Sequence, residues 1–398
     1  MKPLVRGNRD LIKAMNRSLL LNIIRQHGQL SRTQLTEISG LSVGAVSQII
    51  SDLIEKNWLL ETGEGDYTGG RRQVFLRLNP HAGYAIGIKL MEDRLVCAIT
   101  NFEGDIIHYQ TASLGSEEYP EITCDALVQT IEDALQKSST PRAMVLGVGI
   151  GLAGVIYQDT GVVHYSPYVG WKDFPLADTL QAQLHVPVFV ENDVNTLTLS
   201  EYLFGAGRHH SDFAVITIGR GIGMGMVLNG HIYRGIQGGA GELGHIPLHL
   251  TTLMDKTTTT TTLETLAADP AVIRSLHEQG TNTPINDLTD VIKAAEAGDT
   301  AAQNALAKSG EFLGIGLATI VNILSPPLII ISGEGVSAGD FRLQPMLQSL
   351  QQHVFGGLSD MVEIVIEPTD DEAWARGAAS LVMSKIFESP LVETTTVN

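Results

Sequence analysis

Cysteine is scarce in this chain, with only Cys97 and Cys124 among 398 residues. Two cysteines without metal-type spacing argue against a disulfide framework, fit a reducing compartment, and read as packing residues. Charge is sparse as well, 18% against 43% hydrophobic residues, so a sizeable core can form and the length suggests two or three domains. Long apolar runs are missing: nothing approaches the roughly 18 uninterrupted residues of a membrane span. The opening Met-Lys-Pro-Leu-Val-Arg-Gly-Asn lacks the apolar core of a signal peptide. The expectation is a soluble, cytoplasmic protein with no membrane partner and no cofactor.

Positive charge is in the minority, with a net charge of −18, yet it is concentrated at one end. Residues 1–80 hold eleven Lys/Arg against seven Asp/Glu, and the remainder holds 15 against 37. A small basic module on a large acidic body is expected where only the first part approaches phosphates. Within it, Leu11, Ile12, Met15, Leu19, Leu20, Ile23 and Ile24 form a helical stripe that His27-Gly28 ends. Ser31 and Gln34 form a capping box, Leu30 and Leu35 occupy the staple positions, and Gly40 stops the short helix. Ser42 opens a second helix with Val46, Ile49, Ile50, Leu53 and Ile54 on its buried face.

Two helices joined by a tight turn make a helix-turn-helix. The exposed residues Ser42, Val43, Gly44, Ala45, Ser47 and Gln48 are small or polar enough for a major groove. Extended stretches from Trp58 and from Gln73 then predict a two-stranded wing, whose tip Gly69-Gly70-Arg71-Arg72 suits the minor groove or phosphates. Asn79-Pro80 marks the boundary of this DNA-binding domain.

Beyond residue 80 the pattern of three strands, a helix and an apolar strand occurs twice, from Tyr84 to Ile150 and from Phe213 to Ser332. Repetition predicts two related α/β lobes facing a cleft. Alternate glycines at Gly147-x-Gly-x-Gly and Gly219-x-Gly-x-Gly-x-Gly leave one face of each extended segment bare. They lack the strand-to-helix turn of a dinucleotide site, and admit either a ligand or tight packing.

Gly149-Ile-Gly, Gly170-Trp171, Pro187-Val-Phe-Val-Glu-Asn-Asp-Val-Asn195, Gly219-x-Gly, Tyr233-Arg-Gly, Gly241-Glu-Leu-Gly-His245, Leu263-Glu264-Thr and Arg376-Gly-Ala-Ala stand in one order along residues 81 to about 380. In these motifs the chain resembles the ROK family of sugar kinases and sugar-responsive repressors, and its first module resembles that of the repressor branch. The resemblance implies an actin-like, ribonuclease-H-like ATPase fold in each lobe. The implied divisions are 1–80, 81–195 completed by a helix at about 372–390, and 196–371.

The family's sugar-binding positions fall on Asn192, Asp193, Glu242, His245 and Glu264, and carboxylates, an amide and an imidazole suit polyhydroxylated rings. The Glu-Asn-Asp run also reads as a helix cap. In the kinases the residue matching Asp193 is the general base. Where those enzymes have an Asp-x-Gly-Gly-Thr phosphate turn, this chain has Lys89-Leu-Met-Glu-Asp93. Each added carboxylate repels a phosphate charge by about 4 kcal/mol at about 4 Å and an effective dielectric near 20. The expectation is no kinase activity.

Family members commonly complete a zinc site from the Gly-His histidine and three cysteines. Those positions hold Asp255, Thr257 and Thr262, so no metal is expected. The reading is a sugar-modulated regulator, a repressor of carbohydrate-utilisation genes, acting as a homodimer or homotetramer on palindromic double-stranded DNA. Its rivals are a sugar kinase carrying a DNA-binding domain and a regulator controlled by a phosphosugar or a partner protein.

Overall fold

The computed structural model describes residues 9–64, 74–114, 120–248, 261–279 and 285–388. They divide into two compact units, Met1–His209 with Trp374–Asn398, and His210–Ala373.

The first unit begins with α1 (Arg9–His27), β1 (Leu30–Ser31), α2 (Arg32–Ser39) and α3 (Val43–Glu55). The capping box is made: Ser31 Oγ accepts from Gln34 N, and Gln34 Oε1 accepts from Ser31 N. Gly40 ends α2 at φ 67°, a left-handed conformation that favours glycine. The wing strands β2 (Leu59–Glu64) and β3 (Val74–Leu78) pair antiparallel, and β1 adds a third strand on β3. Leu35, Ile50, Leu53, Leu59 and Leu76 are buried with Leu20, Leu21 and Ile24 from α1, giving this small module its own core.

Next come β4 (Tyr84–Leu90), β5 (Arg94–Thr100), β6 (Ile106–Ser113), α4 (Pro120–Ser138) and β7 (Val145–Leu152). A small sheet follows, built from β8 (Val155–Tyr157), β9 (Val162–Ser166) and β10 (Trp171–Phe174). The chain continues through α5 (Leu176–Leu184), β11 (Val188–Asn192) and α6 (Asp193–Phe204). The main sheet has the order β11-β7-β4-β5-β6, an antiparallel meander extended by two parallel strands. Cys97 and Cys124 lie in its apolar core, where burial pushes the Cys97 thiol up to about 12.

The second unit repeats this arrangement. Its strands β12 (Phe213–Ile218), β13 (Ile222–Leu228), β14 (His231–Ile232), β15 (Leu328–Ser332) and β16 (Glu363–Ile366) lie in the order β14-β13-β12-β15-β16. Helices α7 (Leu263–Ala267), α8 (Asp269–Glu278), α9 (Leu288–Glu296), α10 (Thr300–Leu324) and α11 (Asp340–His353) complete it, and α12 (Asp371–Phe387) returns the chain to the first unit. Among the described helices, α10 alone is long and apolar enough to cross a membrane by length and composition. It is a core helix: Gly310 and Gly314 bring it so close to α11 that an added Cβ would lie 2.2 Å and 2.4 Å from the carbonyls of Arg342 and Met346.

The alternate glycines of β7 serve packing. A Cβ on Gly149 would sit 1.9 Å from the Ala378 carbonyl of α12, and one on Gly87 of β4 would sit 2.0 Å from that of Ala375. Bare strand backbone lets α12 lie directly on the sheet, which a single methyl group would prevent.

Candidate DNA-binding and sugar-binding sites

In the DNA-binding module Ser42 caps α3 by accepting from Ala45 N at 3.3 Å. The cap fixes the helix start and presents Ser42, Val43, Gly44 and Gln48 outward, with Ala45 and Ser47 half-buried behind them. Val43 is 69% exposed. Such a surface matches the base-reading turn of a recognition helix. Arg71 and Arg72 lie outside the described residues.

In the first unit the predicted sugar residues start α6. Asn192 is its N-cap, with Oδ1 accepting from Val194 N at 2.9 Å and Asn195 N at 3.2 Å, while Nδ2 donates to Gly154 O at 3.1 Å. The cap alternative is therefore realised, and one N–H of the amide is left for a ligand. Asp193 is 7% exposed and Lys89 is 8% exposed, and they form a buried ion pair between Lys89 Nζ and Asp193 Oδ2. Asp193 Oδ1 accepts from Val194 N at 2.9 Å. The Lys89 ammonium also stands 4.4 Å from the centre of the Trp374 ring, a cation–π geometry. Both Asp193 oxygens are thus engaged, Oδ2 by the Lys89 ammonium and Oδ1 by Val194 N, and each keeps a further lone pair. Glu92 and Asp93 stand exposed at the β4–β5 turn, where Met91 N donates to Arg94 O at 3.0 Å.

Glu242, His245 and Glu264 belong to the second unit. Gly241, at φ +93°, lies so close to β13 that a Cβ would meet Met224 O at 2.0 Å, and this presses the Glu242–His245 turn onto the strand. Glu242 and His245 stand exposed with Oε2 and Nε2 3.6 Å apart. Glu264 Oε2 accepts from Ile222 N at 3.0 Å, so the carboxylate is held by the start of β13.

Thr262, one of the three positions at which the family resemblance implies cysteine, caps a helix. Its hydroxyl accepts from Thr265 N at 3.3 Å and its N–H donates to Thr265 Oγ1 at 2.9 Å, a capping box at the start of α7. Backbone bonds Leu248 N to Thr261 O at 3.1 Å and Leu263 N to Ile246 O at 3.0 Å clip the two ends of the loop together. Capping and a short antiparallel bridge thus hold the His245 turn beside Glu264. Among the described residues there is no cluster of three or more metal-type ligands; Asp255 and Thr257 lie outside them.

Sequence reasoning set Lys89 against a phosphate site and did not foresee its ion pair with Asp193, nor the part of Trp374. The signal was the aromatic two residues before the Arg376-Gly-Ala-Ala motif. It also left Glu334 unremarked, although a Cβ on Gly219 would lie 2.5 Å from Glu334 Oε2. That glycine is approached by a carboxylate of its own unit.

Residues 85–385 match the ROK family, and residues 16–59 match a winged helix-turn-helix DNA-binding family. The chain is 31% identical over 382 residues to the xylose repressor of Bacillus subtilis, covering 96% of this chain and 98% of that protein. It is 29% identical over 353 residues to the DNA-binding transcriptional dual regulator NagC of Escherichia coli, covering 86% of each. Among solved structures, a ROK family transcriptional regulator, a homologue of the E. coli MLC protein, superposes with a TM-score of 0.83 at 24% identity over 97% of this chain and 99% of that one. A ROK family glucokinase from Streptomyces griseus in complex with glucose and AMPPNP superposes with a TM-score of 0.65 at 26% identity over 75% of this chain and 99% of that one. By the family match and by identity along nearly its whole length, the chain belongs to the ROK family and carries an N-terminal winged helix-turn-helix DNA-binding domain.

Proposed function

We propose that the protein is a sugar-responsive transcriptional repressor without kinase activity. It reads a palindromic operator as a homodimer or homotetramer through Ser42, Val43, Gly44, Ala45, Ser47 and Gln48, with Arg71 and Arg72 of the wing on phosphates or in the minor groove. Asn192, Asp193, Glu242, His245 and Glu264 are its sugar ligands, and the genes it controls serve carbohydrate use in the cytoplasm. The observation that carries the reading is the Lys89–Asp193 pair. It holds the would-be base in an ion pair, while the carboxylate can still accept a sugar hydroxyl through its remaining lone pairs. Similarity to a xylose repressor along 96% of this chain points the same way.

A panel of sugars and phosphosugars, headed by xylose and N-acetylglucosamine from the names of repressor relatives, should be titrated into the protein bound to genomically selected DNA. Release by one member is expected, and failure of every member overturns the sugar reading. Sugar-dependent ADP production above background in a coupled assay overturns the non-enzyme reading.

A further inference from the structure

The sugar-side residues of the first unit and its DNA-binding module are joined by two helices that share both endpoints. At the near end, Asp193 opens α6 and Trp374 lies in the first turn of α12, and both engage Lys89. At the far end, both helices deliver carbonyls to one face of α1. Arg25 Nη1 donates to Leu203 O and, at 3.2 Å, to Tyr202 O in the last turn of α6. Ser18 Oγ donates to Phe387 O at the end of α12, and Asn22 Nδ2 donates to the same oxygen at 2.7 Å.

Residues 18, 22 and 25 are one helical face. Beside that face, Leu20, Leu21 and Ile24 of α1 are fully buried with the apolar residues of the DNA-binding module. The Arg25 guanidinium also lies 5.6 Å from the ring centres of both Tyr202 and Phe387, so it joins the two helix ends.

Between these ends the two helices touch. Ten of the twelve residues of α6 are buried. Gly377 of α12 lies against α6 so closely that a Cβ would be 3.1 Å from Leu197 N. A helix of this length spans about 18 Å and transmits displacement along its axis, because packed interiors are poorly compressible. The last-turn carbonyls of a helix have no intrahelical partner, and a cation there is favourable. Arg25 supplies that cation from a different domain of the chain. It is buried, and desolvation is the largest cause lowering its pKa to about 10. Keeping a charged side chain there is costly unless it is well paired.

We propose that Arg25 is the positioning residue through which the Lys89–Asp193 end of α6 sets the placement of α1 and hence of the recognition helix. The inference rests on the sugar reading only in assigning Asp193 to the effector site; the coupling itself concerns two ends of one helix.

The test is a double-mutant cycle read on DNA affinity, with no sugar present. One arm is the paired change Lys89→Met and Asp193→Asn, which removes both charges so that neither is buried alone. The other is Arg25→Met, with Arg25→Lys as a variant that retains a cation and with Asn22→Ala as a second cut at the α12 end. Fluorescence anisotropy on genomically selected operator DNA gives the Kd of each, and thermal melts report folding separately. Substitutions this far apart ordinarily add to within about two-fold.

The expected result is that the paired change shifts the operator Kd by at least three-fold in the Arg25 background and by less than two-fold with Arg25→Met. Arg25→Lys should restore part of the coupling. Equal shifts in both backgrounds, or no shift in either, overturn the proposal. If Arg25→Met fails to fold, the same comparison in Arg25→Lys and Asn22→Ala decides, with full additivity in both again overturning it. Because no sugar enters the cycle, coupling here with no release by any sugar would sink the effector reading alone.

Discussion

Lys89→Met should be one of the most destabilising single changes in the first unit. Both side chains of the Lys89–Asp193 pair are 10% exposed, which separates it from exposed pairs such as Lys308–Glu311, at 63% and 51%. Exposed pairs contribute about 0–1 kcal/mol, whereas removing one partner of a buried pair leaves an uncompensated charge and costs about 3–5 kcal/mol. The same change removes the cation–π interaction with Trp374, worth up to about 2 kcal/mol where desolvated.

For a cooperative unit of roughly 150–250 residues each kcal/mol is worth about 2–4 °C, so the midpoint should fall by about 6–20 °C. The assay is unusually clean. All three tryptophans, Trp58, Trp171 and Trp374, lie in the first unit, so tryptophan fluorescence follows its melting without contribution from the second. Adding Asp193→Asn to Lys89→Met should recover most of the loss, because the stranded charge disappears. A fall below about 2 °C, or no recovery in the double variant, would mean that the pair is solvated and refute the reasoning.

Two further outcomes follow from the geometry. Gly149→Ala places a methyl 1.9 Å from the Ala378 carbonyl, and since backbone must move, the cost should reach or exceed the upper end of the usual 1–3 kcal/mol for overpacking, read in the same melt. Replacing Arg71 and Arg72 by Ala should lower the slope of log Kd against log salt by about 0.9 for each phosphate that the wing no longer neutralises, while Gln48→Ala should cost about 1–3 kcal/mol on the selected operator and little on random DNA.

Much of the fold could be read in the sequence because its signals are local. Ser31, Gln34 and Gly40 bound α2 by hydrogen bonds within a few residues, and those bonds are present as expected. The strands from Tyr84 and from Phe213 are apolar runs buried on both faces, which no other element accounts for as simply. The two-residue strand β1 and the small sheet β8-β9-β10 went unforeseen, because strands of two to five residues with mixed polarity have no period to detect. The glycine series of β7 left ligand approach and packing open, since a missing side chain does not say what fills the space.

The sequence by itself determined the two-part organisation, the caps of α2 and α3, and the lack of glycine at 91 and 92 and of cysteine at 255, 257 and 262, since each is a matter of which residue type stands where. Tertiary structure alone decided what stands in their place. Lys89 meets Asp193 across 104 residues, Arg25 meets Leu203 across 178, and the Leu248–Thr261 bond clips together the two ends of the loop before α7. Such partners are chosen by how strands and helices stack, and no local pattern in the chain encodes them.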